Sequence, residues 1–324
     1  MTESIHDPRA FGDLAESHRH ELTVHCYRIL GSALDAEDAV QETMLKAYRG
    51  LDTFKRDVSF RAWLYKIATN ASLDALSKRR RSLPTVFSPP ADPLAPLPEP
   101  LADPIWVEPM PMGPEVATAQ NPARLYEASE TISLAFVAAL QSLPPRQRSI
   151  LILRDVLEFR ARDVARMLDS STAAVNSALH RARTTMKGNH FETQQHINSI
   201  DEALLDRYLQ AWESEDVGRL VALLREDATL SMPPWPVWYR GPDAIGDILR
   251  RHVYGAGEDR LVKTEANGQP AFAMYRKGQE RGEFTALGIQ VLTILKPGNR
   301  IAAVDIYLMP PLVAVFGLEP KLAE

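Results

Sequence analysis

The sequence predicts a multidomain chain: two all-α domains joined by a proline-rich linker, followed by an α+β domain. Three observations carry this. Apolar residues recur at helical spacing through residues 8–81 and again through 128–188. Residues 82–127 hold twelve of the 24 prolines and little periodicity, the mark of an extended or loosely packed linker. Residues 199–324 open with two helical patterns and then turn to β-rich runs. At 324 residues the chain has room for two or three domains, each with its own core.

In the first domain, Val40, Met44, Ala47, Tyr48, Leu51 and Phe54 form one apolar stripe of a helix. Its other face carries Asp35, Asp38, Gln41, Glu42, Lys46 and Arg49, with the acids toward the N-terminal end where a helix favours them. A second helix holds Trp63, Leu64, Ile67, Ala68, Ala71, Leu73 and Leu76 and runs into Lys78–Arg81. Cations at a helix C-terminus are favoured locally, so part of that run needs no function. In 128–188 the segment RARDVARMLDSSTAAVNSALHRARTTMK at 160–187 reads as a helix-turn-helix. Val164, Ala165 and Leu168 bury the first helix, Asp169-Ser170-Ser171 makes the turn, and Ser or Thr there caps the next helix. Val175, Leu179, Ala182 and Met186 bury the second. Its free face, with Ala173, Asn176, Ser177, His180, Arg181 and Thr184, suits a major groove, although an ordinary helical hairpin has the same pattern.

Net charge is −5, which by itself argues against nucleic acid, but the distribution does not. Residues 55–81 carry eight Lys/Arg against two acids; residues 146–187 carry nine against four; the segment between, 82–127, carries six acids and one Arg. Either basic block alone reads equally as a solvated helix face. No apolar run is long enough to cross a bilayer, the N-terminus shows no signal-peptide pattern, and the single cysteine, Cys26, excludes an internal disulfide. These features lead us to expect a cytoplasmic protein with no membrane partner. His18, His20, His25 and Cys26 lack paired-ligand spacing on a helix, so no metal and no cofactor is expected.

Three segments together resemble the extracytoplasmic-function sigma factors of bacterial RNA polymerase: DAEDAVQETMLKAYRGLDTF at 35–54, FRAWLYKIATNASLDALSKRRR at 60–81, and LPPRQRSILILRDVLEFRARDVARMLDSSTAAVNSALHRAR at 143–183. The resemblance implies a region-two domain at 8–81, a linker at 82–127 and a region-four helix-turn-helix domain at 128–188. It implies core RNA polymerase and promoter DNA as partners, and a chain that is not itself an enzyme. Asp35, Asp38, Gln41 and Glu42 would dock on the polymerase. Lys55, Arg56, Arg61, Trp63, Lys66, Asn70, Arg79 and Arg80 would melt and read the minus-ten element, with core packing an equal alternative for Trp63. Ser171, Thr172, Asn176, Ser177, His180, Arg181 and Arg183 would face the minus-thirty-five element. The chain departs from the pattern in having Asp169 for the usual turn Gly, which Asp tolerates better than most residues. It also has Asn176 and Ala178 where cations are common.

Residues 199–324 resemble the SnoaL-like families, which implies helices packed into a cone of curved antiparallel sheet around an apolar pocket. Leu204, Leu205, Tyr208 and Trp212 mark a first helix, Leu220, Leu223 and Leu224 a second, and 241–253 a third. Strands are expected at Thr229–Met232, 285–295 and 300–309, the last two about the turn Pro297-Gly298-Asn299. The resemblance further implies that this domain modulates the sigma domains in cis; a small-molecule enzyme or ligand sensor is the alternative. His252 and Asp305 are the acid–base pair to test, against a helix-end histidine and a solvent-facing strand residue. Trp235, Trp238 and Tyr239 read as packing aromatics, and Trp106, in WVEPMP, is costly in a tether unless it docks.

Overall fold

The computed structural model describes residues 8–54, 59–76, 88–101, 106–111, 133–188, 202–278, 282–295 and 299–323. Two compact units form: the described parts of 1–82 with 119–191, and of 83–118 with 192–324.

The first unit is all-helical. Its first four helices are α1 (Pro8–Glu16), α2 (Arg19–Leu30), α3 (Ala33–Arg49) and α4 (Phe60–Ala75). Ser32 and Ser59 start α3 and α4 as N-caps, each hydroxyl accepting from a backbone N–H three residues on. The buried stripe of α3 is Ala36, Ala39, Val40, Thr43 and Ala47. Tyr48, expected within it, is instead 54% exposed, as is Leu45 at 57%. Small residues face inward because α2 and α4 both pack against this helix.

The remaining helices are α5 (Leu134–Gln141), α6 (Pro145–Leu151, running into a wider turn over Ile152–Val156), α7 (Ala161–Met167) and α8 (Thr172–Gly188). They join the first four through one buried cation. Arg148, 2% exposed, donates from Nε to the Leu140 carbonyl at 2.9 Å and from Nη2 to the carbonyls of Gln141 and Leu143 at 3.1 Å. Its Nη1 reaches the Gln141 side chain at 2.5 Å and the Ile29 carbonyl. One guanidinium thus satisfies carbonyls at the C-terminal ends of α5 and α2, where the helix dipole favours a positive charge. Gly31 ends α2 in left-handed backbone (φ +70°), and a Cβ there would lie 3.0 Å from the Gln141 side chain. Glycine is therefore needed for both conformation and approach.

The second unit has one seven-stranded sheet over α9 (Glu202–Glu213), α10 (Val217–Ala222) and α11 (Pro242–Ile248). The strands are β1 (Leu224–Ser231), β2 (Trp238–Arg240), β3 (Asp259–Ala266), β4 (Gln269–Lys277), β5 (Glu283–Leu295), β6 (Arg300–Tyr307) and β7 (Lys321–Ala323); a short helix, α12 (Pro310–Val315), precedes β7. Their order is β2-β1-β6-β5-β4-β3, with β7 on β5; β1 and β6 run parallel and the other pairs antiparallel. The strand expected from Thr229 begins five residues earlier. The β3–β4 hairpin turns on Asn267-Gly268, both at positive φ, as a two-residue turn requires. The register slips beside Gly288, whose absent Cβ would sit 1.8 Å from the Tyr307 carbonyl oxygen. Such an irregularity bends a strand, and Tyr208, Trp212, Leu230, Phe272, Leu292 and Ile306 belong to the apolar core of the cone.

The described residues of the proline-rich segment, 88–101 and 106–111, are part of this second unit rather than loosely packed. Trp106, Val107 and Met110 are buried. Met110 and Asn267 exchange hydrogen bonds at 2.8 and 2.9 Å, and Pro111 bridges Ala266. Farther up the segment, Trp238 Nε1 donates to the Ser88 carbonyl, Ala91 N–H to the Trp238 carbonyl and Leu101 N–H to the Pro234 carbonyl. Proline removes donors, so side chains and these few amides hold the segment.

Of the histidine–cysteine cluster, His25 and Cys26 are core, while His18 and His20 are half-buried. Burial pushes the Cys26 thiol up to about 12. Burial, with Arg28 and Arg61 nearby, pushes His25 down to about 3. Thr69 donates to the Tyr65 carbonyl, so it accepts from His25 Nε2–H at 2.8 Å. Because an unfolded histidine titrates near ~6.5, the unfolded chain binds the proton first. Stability is therefore complete above that pH and falls as pH drops toward 3. Moving from pH 7 to pH 5 is expected to cost α2–α4 about 2 kcal/mol through this residue. His25→Gln, which keeps the donor, should flatten the dependence of the denaturant midpoint on pH.

Candidate nucleic-acid interface

The turn between α7 and α8 sets the helix-turn-helix geometry. Asp169 adopts left-handed backbone (φ +45°), the conformation expected where relatives of this pattern use glycine. Ser171 Oγ accepts from Ala174 N–H at 3.1 Å and caps α8. Val164, Ala165, Leu168, Val175, Leu179 and Ala182 are buried, which leaves Thr172, Asn176, Ser177, His180 and Arg181 exposed along one side of α8. Ala178 is buried, so a cation at that position would not project from this surface. Arg181 Nη1 donates to Ser177 Oγ at 2.8 Å, and Arg183 holds Asp155 in a two-pronged pair at 2.7 and 2.8 Å.

Part of the basic block 146–187 serves the fold. Arg148 is buried, Arg146 donates to the Leu168 carbonyl, and Arg154 donates to the Phe159 carbonyl. Sequence counting treated these as surface charge; a short loop rich in carbonyls is the signal that would have reassigned them.

On α4, Ser59 is the cap and Arg61 lies in the first turn. Arg61 pairs with Glu21 at 2.8 Å, its guanidinium 4.8 Å from the Tyr65 ring centre and 5.4 Å from that of Phe159. Burial alone would raise Glu21; Arg61, with His18 and Tyr65, outweighs it and holds this carboxyl below its usual range. One turn on, Lys66 donates to Asp169 Oδ1 at 3.2 Å and to the Arg166 carbonyl at 3.3 Å. Trp63 is half-buried against Phe54 and Phe60, at 4.9 and 5.7 Å between ring centres, and Asn70 is half-exposed. Both alternatives for Trp63 thus have a physical basis, since it packs and still shows a face. Lys55, Arg56, Arg79 and Arg80 lie outside the described residues.

Along α3, Asp38, Gln41 and Glu42 are exposed and Asp35 is half-buried at the capped end. Leu45 and Tyr48 continue the same face, an apolar pair that the sequence reading missed. Their spacing from Gln41 and Glu42, three to seven residues, was the available signal.

In the second unit, His252 and Arg276 line a cavity of about 300 Å³ inside the cone. Asp305 does not join them. Ile306, its neighbour on β6, faces the cavity, so Asp305 points to the opposite side of the sheet. There it accepts from Ser231 Oγ at 2.5 Å, and burial of its carboxyl group raises its pKa, the Ser231 hydroxyl opposing. His252 and Asp305 therefore form no acid–base pair. Trp238 and Tyr239 pack as expected, while Trp235 lines the cavity.

The two helical groups, one ending in a capped helix-turn-helix, define a DNA-binding transcription factor of the sigma type. The models of Sigma-70 region 2 and Sigma-70 region 4 match residues 14–82 and 133–186. The chain is 40% identical over 321 residues to the ECF RNA polymerase sigma factor SigG of Mycobacterium tuberculosis, covering 96% of this chain and 85% of that one. It is 30% identical over 177 residues to the ECF RNA polymerase sigma-E factor of Escherichia coli, 55% of this chain and 84% of that one. The crystal structure of Mycobacterium tuberculosis SigJ, also an extracytoplasmic-function sigma factor, shares the fold at 22% identity and a TM-score of 0.56, over 95% of this chain and all of that one. The chain belongs to the extracytoplasmic-function sigma factors, the subunits that direct RNA polymerase to promoters, and carries a C-terminal α+β cone.

The left-handed turn can be tested directly. Asp169→Ala places an unsuited residue at positive φ and is expected to destabilise α7–α8 by about 1 kcal/mol. Asp169→Gly loses only the exposed pair with Lys66 and should stay close to wild type. Hydrogen exchange of the amides of residues 161–188 in denaturant separates the two; equal protection would show that backbone handedness does not limit this turn.

Proposed function

We propose that the chain recognises promoters through two faces that are folded against each other in the free protein, and that the SnoaL-like domain modulates their release in cis. The observation that carries this reading is the junction of Arg148 with the end of α2, together with Lys66 on the Asp169 turn. A residue assigned to minus-ten DNA is thereby engaged by the minus-thirty-five reader.

Each residue has a role with a physical reason. Asp35, Asp38, Gln41 and Glu42, extended by Leu45 and Tyr48, dock on core polymerase through an acidic rim with an apolar pair. Trp63 and Asn70 capture an unpaired base by stacking and hydrogen bonding. Lys55, Arg56, Arg61, Lys66, Arg79 and Arg80 hold phosphates around it. Asn176, Ser177, His180 and Arg181 address base edges, while Ser171, Thr172 and Arg183 meet the backbone at the start and end of the helix. Arg183 exchanges Asp155 for phosphate. The tether between the two readers is gripped by the SnoaL-like domain at Trp106 and Met110, which gives that domain a lever on both. A small ligand in the cone acts through the same lever.

The test is reconstitution of the full chain with core polymerase. Promoter-dependent transcripts are expected, and their complete absence across promoter libraries would refute the reading. Asn176→Ala and Arg181→Ala should each cost about 1–3 kcal/mol of promoter discrimination, about fivefold to 150-fold in initiation, without changing core binding. The pair Asp38→Lys/Glu42→Lys should do the reverse, lowering core affinity in a salt-dependent way.

A further inference from the structure

The cavity in the cone is closed on one side by the tether. Leu97 lines it, together with Met274, Leu287, Ile306 and Trp235. Leu97 is half-buried, whereas residues 94–96 and 98–101 are exposed. It sits in Pro96-Leu97-Pro98-Glu99-Pro100, where three of five residues have no N–H to donate. The segment is fastened to the domain by the Ala91 and Leu101 amides, and between them Leu97 is the side chain that enters the cone. With Leu97 in place about 300 Å³ stays empty, so the leucine bounds the space as a stopper and does not fill it.

The chemistry of the wall specifies what would replace it. Among the described residues it is mostly apolar, with His252 and Arg276 as its polar groups and no carboxylate lining it. Arg276 is held by Asp259 through Nε and Nη2, at 2.7 and 3.0 Å, which fixes the guanidinium and leaves Nη1 to donate. At the ~30 Å³ a water molecule occupies, the space accepts about ten non-hydrogen atoms. We propose that this cavity binds a small monocarboxylate with an apolar body, its carboxylate on Arg276 and His252, in exchange for Leu97. Occupancy is then linked to release of residues 91–101, and the ligand loosens the tether that joins the two DNA-reading domains. This rests on the reading that the SnoaL-like domain grips the tether, but its test needs no polymerase, so the two fail separately.

The full-length protein is titrated by calorimetry with octanoate, below the concentration at which it forms micelles, and with 1-octanol as the uncharged match. Octanoate is expected to bind at one site, at least tenfold tighter than the alcohol. Leu97→Ala should tighten binding about tenfold by removing the competitor. Leu287→Trp, which fills the space, should abolish it, with a retained melting transition showing that the variant folds. His252→Leu, at an exposed position, should narrow the preference for the acid. Hydrogen exchange at Ala91 and Leu101 should speed up on saturation. Absence of octanoate binding to both wild type and Leu97→Ala, equal affinity for acid and alcohol, binding that survives Leu287→Trp, or exchange at Leu101 unchanged by saturation would each overturn the proposal.

Discussion

The helical unit depends on one buried cation, Arg148. It donates to carbonyls at the ends of two helices, one from each sigma domain. A buried charge is costly unless its hydrogen bonds are met, so the arrangement holds only while both helix ends present their oxygens together. This makes the junction geometrically strict: Gly31 must turn left-handed, Gln141 must lie against it, and α5 must end where it does. Carbonyl partners do not titrate, and salt acts weakly on so enclosed a charge.

Around that junction the surface assigned to DNA is partly occupied. Lys66 is on the helix-turn-helix turn, Arg61 is held by Glu21 and stacked near Phe159, and Arg183 is on Asp155. These contacts are mostly exposed and individually weak. Each nonetheless gives its cation a protein partner.

The sequence made the helices and the helix-turn-helix legible because their signals are local. Periodicity marked α4 and α8, Ser171 marked a cap, and Asp169 marked the turn, where its tolerance of left-handed backbone proved to be the relevant property. What was not legible depends on partners distant in the chain. Tyr48 looked like core because α3 has two apolar candidates per turn, and only the approach of α2 and α4 decides between them. Arg148 looked like one more surface cation. The β3–β4 hairpin had a local sign in Asn267-Gly268 that was passed over among mixed runs. His252 and Asp305 were paired by residue type, whereas strand alternation, fixed by Ile306 facing inward, sends them to opposite sides of the sheet. Composition also misled: a dozen prolines suggested slack chain, and Trp106 was the one residue arguing otherwise.

Trp106 carries a practical consequence. It is fully buried, with Val107 and Met110 beside it, in a unit whose other wall comes from residues after 192. Cutting the chain after α8 therefore does not yield a sigma core minus an appendage. It strips one wall from an indole and its neighbours and leaves them facing water in the middle of the remaining polypeptide, a sticky stretch that invites self-association. Aggregation or altered transcription from such a shortened protein would then report on the orphaned segment as much as on the missing domain, and substitution of Trp106 by a polar residue in the shortened chain is the control that tells these apart.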